Sequence, residues 1–137
     1  MEGLKTVMEV QTRFRDTDAM GHVNNAVYLS YLELARMEYV RRVFDVTHYS
    51  GVDFILARAE VDYRSPTMPG ETLLVGIRVT RLGGASFDFS YRVEDKASGR
   101  LVAEAKTVQV CYDYRANKVK RLSDTFMSRV KEYDGLA

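Results

Sequence analysis

The amino-acid sequence has 137 residues, a length that favours one core over two linked domains, so we expect a single domain over residues 1–137. Lys and Arg number 20 and Asp and Glu 19, which leaves a net charge of +1 and no global field to attract nucleic acid. No apolar run approaches the roughly 20 residues that span a bilayer, and the N-terminus lacks the apolar stretch of a secretory signal. These features predict a cytoplasmic protein without a nucleic-acid partner or a membrane span.

The single cysteine, Cys111, excludes an intrachain disulfide and a cysteine-rich zinc site, and it fits a reducing compartment. It lies within the run VQVCYDY, which is typical of a β-strand. A lone cysteine in a strand favours a small core residue over a reactive thiol.

In chain order, residues 6–15 have the β-branched and aromatic content of a first strand. Residues 26–44 then predict a helix that Asn24 or Asn25 caps, and Arg41 and Arg42 suit its C-terminal end. Its first half is apolar on nearly every side, which predicts a helix enclosed by protein. The residues of its helical stripe are Tyr28, Leu32, Ala35, Tyr39 and Val43.

In the remaining chain, apolar and polar residues alternate as they do in β-strands. Residues 54–65 predict a strand with one buried face, and residues 71–81 and 86–94 predict an antiparallel pair joined at Gly83 and Gly84. A long last strand extends from residue 101 towards Asn117, and a short amphipathic helix over about 123–133 follows, capped by Ser123. The order βαββββα predicts an α+β fold, a meander of antiparallel strands around one apolar helix.

Polar residues concentrate between the first strand and the long helix, where two carboxylates, one of only two histidines and two asparagines occur within residues 15–25. Free amides at a helix N-terminus stabilise negative charge, and a carboxylate beside them is the minimum needed for acyl transfer to water. Asp, Asn and Gly are equally ordinary in turns and caps ahead of a helix. The residues alone therefore give a location and leave the reaction open.

Other chemistries lack their motifs. The sequence contains no G-x-S-x-G elbow, no glycine-lysine phosphate loop and no G-x-G-x-x-G after a strand. With only His22 and His48, and with Cys111 isolated, no spacing indicates a zinc site. We expect no metal ion and no redox cofactor.

The segment FRDTDAMGHVNNAVYLSYLELAR resembles the signature of the 4-hydroxybenzoyl-CoA thioesterase-like family of hotdog proteins, because it joins D-x-D to an N-x-x-Y-L-x-Y-x-E-x-A-R helix start. LARAEVDYRSPTMPGETL and RLGGASFDFSYRV extend the resemblance over most of the chain. It implies the hotdog fold, a curved antiparallel sheet wrapped around a long central helix. It also implies a homo-oligomer, at least a homodimer and commonly a homotetramer, with sheets joined edge to edge.

By the same resemblance, the chain is expected to hydrolyse an acyl-CoA to a carboxylic acid and free CoA. Asp18 matches the family's catalytic carboxylate, as a general base or as the nucleophile, while amides at the helix start polarise the carbonyl. Some relatives carry a histidine where this chain has Asn25, so Asn25 and His22 are secondary catalytic candidates.

Candidate contacts for the substrate come from the helix, from the strand after it and from the glycine turn. Guanidinium groups and free amides suit the phosphates of CoA, although a solvated strand face gives the same pattern. These candidates are Tyr28, Arg58, Arg64, Gly84, Ala85 and Ser86.

Two other functions are compatible with the same resemblance. An acyl-carrier-protein thioesterase would use the same carboxylate with a different docking surface. A noncatalytic acyl-CoA-binding protein would use the fold without the chemistry. The second aspartate of D-x-D favours an enzyme over this last alternative.

Overall fold

The computed structural model describes residues 1–46 and 53–137, and His48 lies outside the described residues. Strands are β1 (Thr6–Gln11), β2 (Phe54–Tyr63), β3 (Thr72–Leu82), β4 (Ser86–Asp95), β5 (Leu101–Asp113) and β6 (Lys118–Val119). Helices are α1 (Val27–Phe44) and α2 (Asp124–Asp134), and a 3₁₀ turn covers Phe14–Asp16.

The strands form one antiparallel sheet in the order β1-β3-β4-β5-β2, and β6 pairs with β5. The predicted hairpin is confirmed, because β3 pairs with β4 in a register that sets Leu82 opposite Phe87. α1 lies across one face of the sheet and α2 packs against α1 and β3. This is the α+β arrangement that the resemblance implied.

The core lies between α1 and the inner sheet face. Leu73, Val75, Ile77 and Val79 of β3 are completely buried, as their alternation predicted. The predicted stripe of α1 also faces inward, although Val43 is only partly buried. At roughly 1.5–3 kcal/mol for each large apolar side chain, this contact dominates the stabilisation of the fold.

Three boundary predictions were wrong. β1 ends at Gln11, because the chain turns where Asp16 accepts a hydrogen bond from the Arg13 amide. β5 ends at Asp113, because a turn with Asn117 at φ 55° leads back into β6. Helix α1 has Ala26 as its N-cap, with no side-chain cap, because Asn24 instead accepts from the Ala26 amide in the preceding turn.

Two predictions of burial also need correction. The first half of α1 is not enclosed: Leu29 and Leu34 are 43% and 46% exposed, because α1 covers the sheet with one face only. β2 was predicted to bury one face, but only Phe54 and Val61 of this strand are partly buried. As an edge strand, β2 lies beyond the area that α1 covers.

The predicted second helix is confirmed. The Ser123 hydroxyl accepts a hydrogen bond from the Phe126 amide at 3.1 Å, and Gly135 ends the helix at φ 72°, in the left-handed region. Asp134 fixes the far end by accepting from the Tyr39 hydroxyl and the Val79 amide. In the described parts of the chain, neither helix is long and apolar enough to cross a membrane.

Candidate active site

The loop that follows the 3₁₀ turn is closed by backbone hydrogen bonds. Thr17 and Val23 form an isolated antiparallel bridge, and the Asp18 amide donates to the His22 carbonyl at 2.7 Å. Gly21 has φ 81°, a conformation that glycine adopts without the steric cost of a side chain. The loop therefore holds Asp18 ahead of α1 in one defined conformation.

Asp18 uses one carboxylate oxygen to hold this loop. Its Oδ1 accepts from the Met20 amide at 2.8 Å and from the His22 amide at 3.2 Å. Within the described residues, no hydrogen bond reaches Oδ2 and no cation pairs with the carboxylate. The side chain is half-buried, so Oδ2 is available to a water molecule or a substrate carbonyl.

Asp16 has the opposite environment. It is 3% exposed, and it accepts from the Tyr31 hydroxyl at 2.7 Å and from the backbone and guanidinium of Arg13 at 3.1 Å. Burial alone would raise the pKa of Asp16, but the hydrogen bonds from Tyr31 and Arg13 outweigh burial and hold this pKa below its ordinary value. Asp16 is a structural carboxylate that orders the loop, because both of its oxygens accept hydrogen bonds within the chain.

The signature tyrosine Tyr31 has a role that the pattern did not reveal. Burial, and then its hydrogen bond to Asp16, raise the pKa of Tyr31, so the hydroxyl remains a donor. A buried tyrosine hydroxyl requires a partner, and this rule could have indicated a link between the helix and the loop. Arg36 of the same signature is also buried and donates to the Tyr91 hydroxyl at 3.2 Å.

The two secondary candidates lie near Asp18. His22 is partly buried, and its amide donates to Asp18. Asn25 is exposed at the helix start, and its carbonyl accepts from the Tyr63 hydroxyl at 2.8 Å. In the described chain, neither the His22 imidazole nor the side-chain amide of Asn25 has a hydrogen-bond partner. Both groups can therefore face a ligand.

The helix start provides fewer amides than the sequence indicated. The amides of Ala26, Val27 and Leu29 are used in hydrogen bonds within the turn. The amides of Asn25 and Tyr28 have no partner among residues 1–46 and 53–137. A carbonyl oxygen at this end would therefore meet at most these two donors.

The substrate-contact candidates are dispersed. Tyr28 is buried, with its hydroxyl donating to Thr67 at 2.9 Å, so the single chain makes it part of the core. Arg58 pairs with Glu60, and Arg64 pairs with Glu104 at 3.4 Å. Both arginines are exposed, Arg58 on the edge strand β2 and Arg64 directly after its last residue.

The turn from Gly84 to Ser86, which includes Ala85, lies far from Asp18 in the same chain. The turn lies after the last residue of β3. At the opposite end of β3, the carbonyl of Glu71 accepts a hydrogen bond from the amide of Thr12, where the chain leads into the Asp18 loop. Eleven residues of strand separate these ends by about 35 Å. The structure therefore does not bring the turn together with Asp18 within one subunit.

No group of three or more potential metal ligands occurs in the described residues. The cysteine thiol is buried, and burial raises the pKa of Cys111, which disfavours a reactive thiolate. The arrangement around Asp18 thus offers a carboxylate, an imidazole, a carboxamide and free backbone amides.

Comparison with known proteins places this chain among thioester hydrolases. Residues 12–130 match the model of the thioesterase-like superfamily. The long-chain acyl-CoA thioesterase FadM of Escherichia coli K12 is 25% identical over 90% of this chain and 96% of its own. The acyl-CoA thioester hydrolase YbgC of E. coli O6:H1 is 28% identical over 90% of this chain and 93% of its own.

Solved structures agree with these sequence matches. A thioesterase of Thermus thermophilus, crystallised with coenzyme A and zinc, is 36% identical over 98% of both chains and superposes with a TM-score of 0.89. Since this similarity extends over nearly the whole chain, it covers the sheet, α1 and the Asp18 loop.

Proposed function

The chain belongs to the thioesterase-like superfamily, with the hotdog fold, and from this membership we propose that it hydrolyses acyl-CoA thioesters at Asp18. The chain is a thioester hydrolase, as its relatives are. The observation that supports the site is the half-buried Asp18 carboxylate, whose Oδ1 fixes the loop while Oδ2 has no partner in the described chain.

Asp18 can act in two ways that yield the same products. As a general base, Oδ2 removes a proton from water while the water oxygen attacks the thioester carbonyl carbon. As a nucleophile, Oδ2 attacks this carbon itself and forms a mixed anhydride, which water then hydrolyses. In both routes the C–S bond breaks, the CoA thiolate takes up a proton and a carboxylic acid is released.

Neighbouring groups support the developing negative charge. The free amides of Asn25 and Tyr28 lie at the start of α1, where the helix dipole favours an anion. We propose that Asn25 and His22 orient the water or the thioester. The reaction as proposed needs no metal ion and no redox cofactor, and the single buried thiol Cys111 accords with a cytoplasmic location.

We further propose that the protein is at least a dimer, formed through β2. This ten-residue edge strand presents unpaired backbone groups together with Ile55, Leu56 and Tyr63, which are 38%, 47% and 44% exposed. Pairing two such edges satisfies these groups and covers the apolar side chains. Light scattering after size exclusion should give a mass of two chains of 15.7 kDa, or of four if dimers associate further.

Release of free thiol from a panel of short, long, branched and aromatic acyl-CoAs tests the function. We expect the wild type to hydrolyse members of this panel, while Asp18→Asn, purified in parallel, reports any contaminating activity. Acyl groups on carrier protein form a second arm. Turnover of carrier-bound substrates alone would replace CoA by the carrier, and turnover of neither would contradict the proposed hydrolysis.

A further inference from the structure

Apolar side chains are arranged differently at the two ends of α1. At the C-terminal end, four aromatic rings line a cavity of about 490 Å³, those of Phe44, Phe54, Phe87 and Phe126. Phe87 is 1% exposed, and its ring centroid lies 5.2 Å from that of Phe54 and 4.9 Å from that of Phe126. Cys111, the only cysteine of the chain, also lines this cavity, so the rate at which maleimide labels its thiol reports access to it. The apolar groups at this end thus cover one another.

At the N-terminal end, by contrast, apolar side chains project into solvent. Phe14 is 85% exposed, the highest value for a large apolar residue in the described chain, and Met20 and Met68 are 76% and 50% exposed. Arg13 and Arg15 stand on either side of Phe14. We call these five residues the amphipathic tip. Because exposed apolar surface is unfavourable in water, its concentration at one end of the molecule indicates a surface that another apolar phase covers.

The tip is held on an ordered backbone. The Thr12 hydroxyl donates to the Met68 carbonyl at 3.1 Å, and the Thr17 amide donates to the Phe14 carbonyl at 3.2 Å. Met20 lies in the adjoining loop that the isolated antiparallel bridge closes. These bonds join the segments that carry the three apolar side chains, so little backbone freedom remains to be lost on binding.

A dimer paired through β2 would leave the tip uncovered. Phe14 follows β1, and Met68 precedes β3, the strand that pairs with β1. β1 and β2 are the two edges of the main sheet, four strand spacings or about 19 Å apart along the sheet. Pairing of the β2 edges therefore does not account for the exposed side chains of the tip.

The charges beside the apolar groups favour an anionic surface. The Arg13 side chain is 61% exposed, whereas the Asp16 carboxylate with which it pairs is turned inward and is only 4% exposed. Arg15 is exposed and has no carboxylate partner within residues 1–46 and 53–137. Two guanidinium groups that flank a projecting ring suit a lipid interface, because the ring can enter the acyl region while the guanidinium groups stay at the level of the phosphates.

We propose that the amphipathic tip docks the protein reversibly on an anionic phospholipid surface. Transfer of each apolar side chain from water should strengthen binding about tenfold, and each arginine about fivefold. Together these effects reach the order of 10⁴, comparable to the affinity that a single lipid anchor provides. Side chains that project singly fit between lipid tails, whereas a protein partner requires a complementary surface around them. Docking does not depend on the proposed hydrolysis; for that reaction it would bring Asp18 to the interface in which long acyl chains dissolve.

Vesicle sedimentation without substrate tests the docking. The wild type should sediment with vesicles of phosphatidylglycerol and phosphatidylcholine, and at least about tenfold less with phosphatidylcholine alone. Phe14→Ser combined with Met20→Ser should weaken binding to the mixed vesicles about a hundredfold, and Arg15→Gln about fivefold. Leu34→Ser, 46% exposed at the middle of α1, and Arg129→Gln, exposed on α2, are the matched controls and should bind like the wild type.

Folding of the variants is checked without vesicles. Maleimide should then label Cys111 at the wild-type rate, because the cavity lies at the other end of α1. Failure of the wild type to sediment with either kind of vesicle would overturn the proposal, as would equal losses of binding in the tip variants and the controls.

Two further outcomes separate docking from hydrolysis and from a protein partner. Vesicle binding by a protein that hydrolyses no thioester would refute the proposed function but support the docking. If the tip variants kept their vesicle binding but lost turnover of acyl groups on a carrier protein, the tip would belong to a protein partner, and the lipid proposal would be overturned.

Discussion

At its N-terminal end, helix α1 meets a polar loop; at its C-terminal end, it meets an aromatic cavity. The loop is built from neighbours in sequence, since Asp16, Asp18 and Tyr31 lie within 16 positions of one another. The cavity joins residues as distant as Val40, Phe87 and Arg129. Residues close in sequence thus build the polar end of the helix, whereas only the assembled sheet creates the cavity at the other end.

The largest expected effect on stability lies at the polar end. Asp16→Asn removes a buried charge while its donors Tyr31 and Arg13 remain in place, which should cost about 2 kcal/mol of unfolding free energy. Urea unfolding measures this loss. Asp62→Asn is the control, because its carboxylate is 72% exposed and should contribute less than about 0.5 kcal/mol. Equal losses would show that burial of Asp16 does not stabilise the loop.

The cavity end depends on the cap of α2. Ser123→Ala removes the acceptor of the Phe126 amide and should cost about 1 kcal/mol. It should also loosen the helix that carries Phe126 and Thr125, and so accelerate labelling of Cys111. Ser128→Ala, in the same helix without this hydrogen bond, should leave both stability and labelling unchanged. If Ser123→Ala labelled faster at Cys111 but kept the wild-type free energy of unfolding, access to the cavity would not depend on the stability that the cap provides.

The smallest expected effect is a pH dependence at the end of α1. Hydrogen bonds from Arg41 and then Arg42 hold the pKa of Glu38 at about 2, below its ordinary 4.5, although partial burial opposes them. Because the folded-state pKa is the lower one, this stabilisation is complete above about pH 4.5 and is lost as pH falls towards 2.

Glu38→Gln should therefore remove up to about 1 kcal/mol at neutral pH and less at pH 3. Thermal unfolding of the variant and the wild type over this range measures the difference. Glu33→Gln is the control, an exposed residue of the same helix without an ion pair in the described chain. A difference in stability between Glu38→Gln and the wild type that stays constant from pH 7 to pH 3 would exclude the ion pairs of Glu38 with Arg41 and Arg42 as its cause.

Acid also removes the contribution of Asp16 to stability, as it does for Glu38. The pKa of Asp16 lies below the ordinary 3.8, so its contribution is present above this pH and is lost as the carboxylate is protonated below it. Asp16→Asn should consequently flatten the acid limb of the stability curve, which the same thermal series would reveal.

The sequence predicts much of this fold because its signals are local. Alternation placed β3 and β4, the helical stripe identified the buried face of α1, and Ser123 marked the start of α2. Boundaries failed where a distant or unexpected partner ended an element, as at the buried carboxylate of Asp16. β2 alternates like a half-buried strand, but its position at the sheet edge leaves it exposed, and alternation does not encode strand order.

The candidate site divides in the same way. Asp18, His22 and Asn25 are close in sequence, and the loop gathers them at one helix end. Gly84, Ala85 and Ser86 were selected for the chemistry of their amides, but β3 carries them to the other end of the sheet. No local pattern predicts the aromatic cavity, because its four phenylalanines come from four different elements.

We propose a division of roles in which Asp18 performs the chemistry while Asp16, two residues earlier, maintains the shape of the loop. Its most direct test is kcat/KM for the preferred acyl-CoA, measured beside urea unfolding on Asp18→Asn and Asp16→Asn. Asp18→Asn should lose about 10²–10⁴-fold in kcat/KM with unchanged stability, since general-base catalysis contributes this much and the asparagine Oδ1 can keep the loop's hydrogen bonds. Asp16→Asn, corrected for its folded fraction, should lose about tenfold or less. Equal rate losses, or wild-type turnover by Asp18→Asn, would contradict this division of roles.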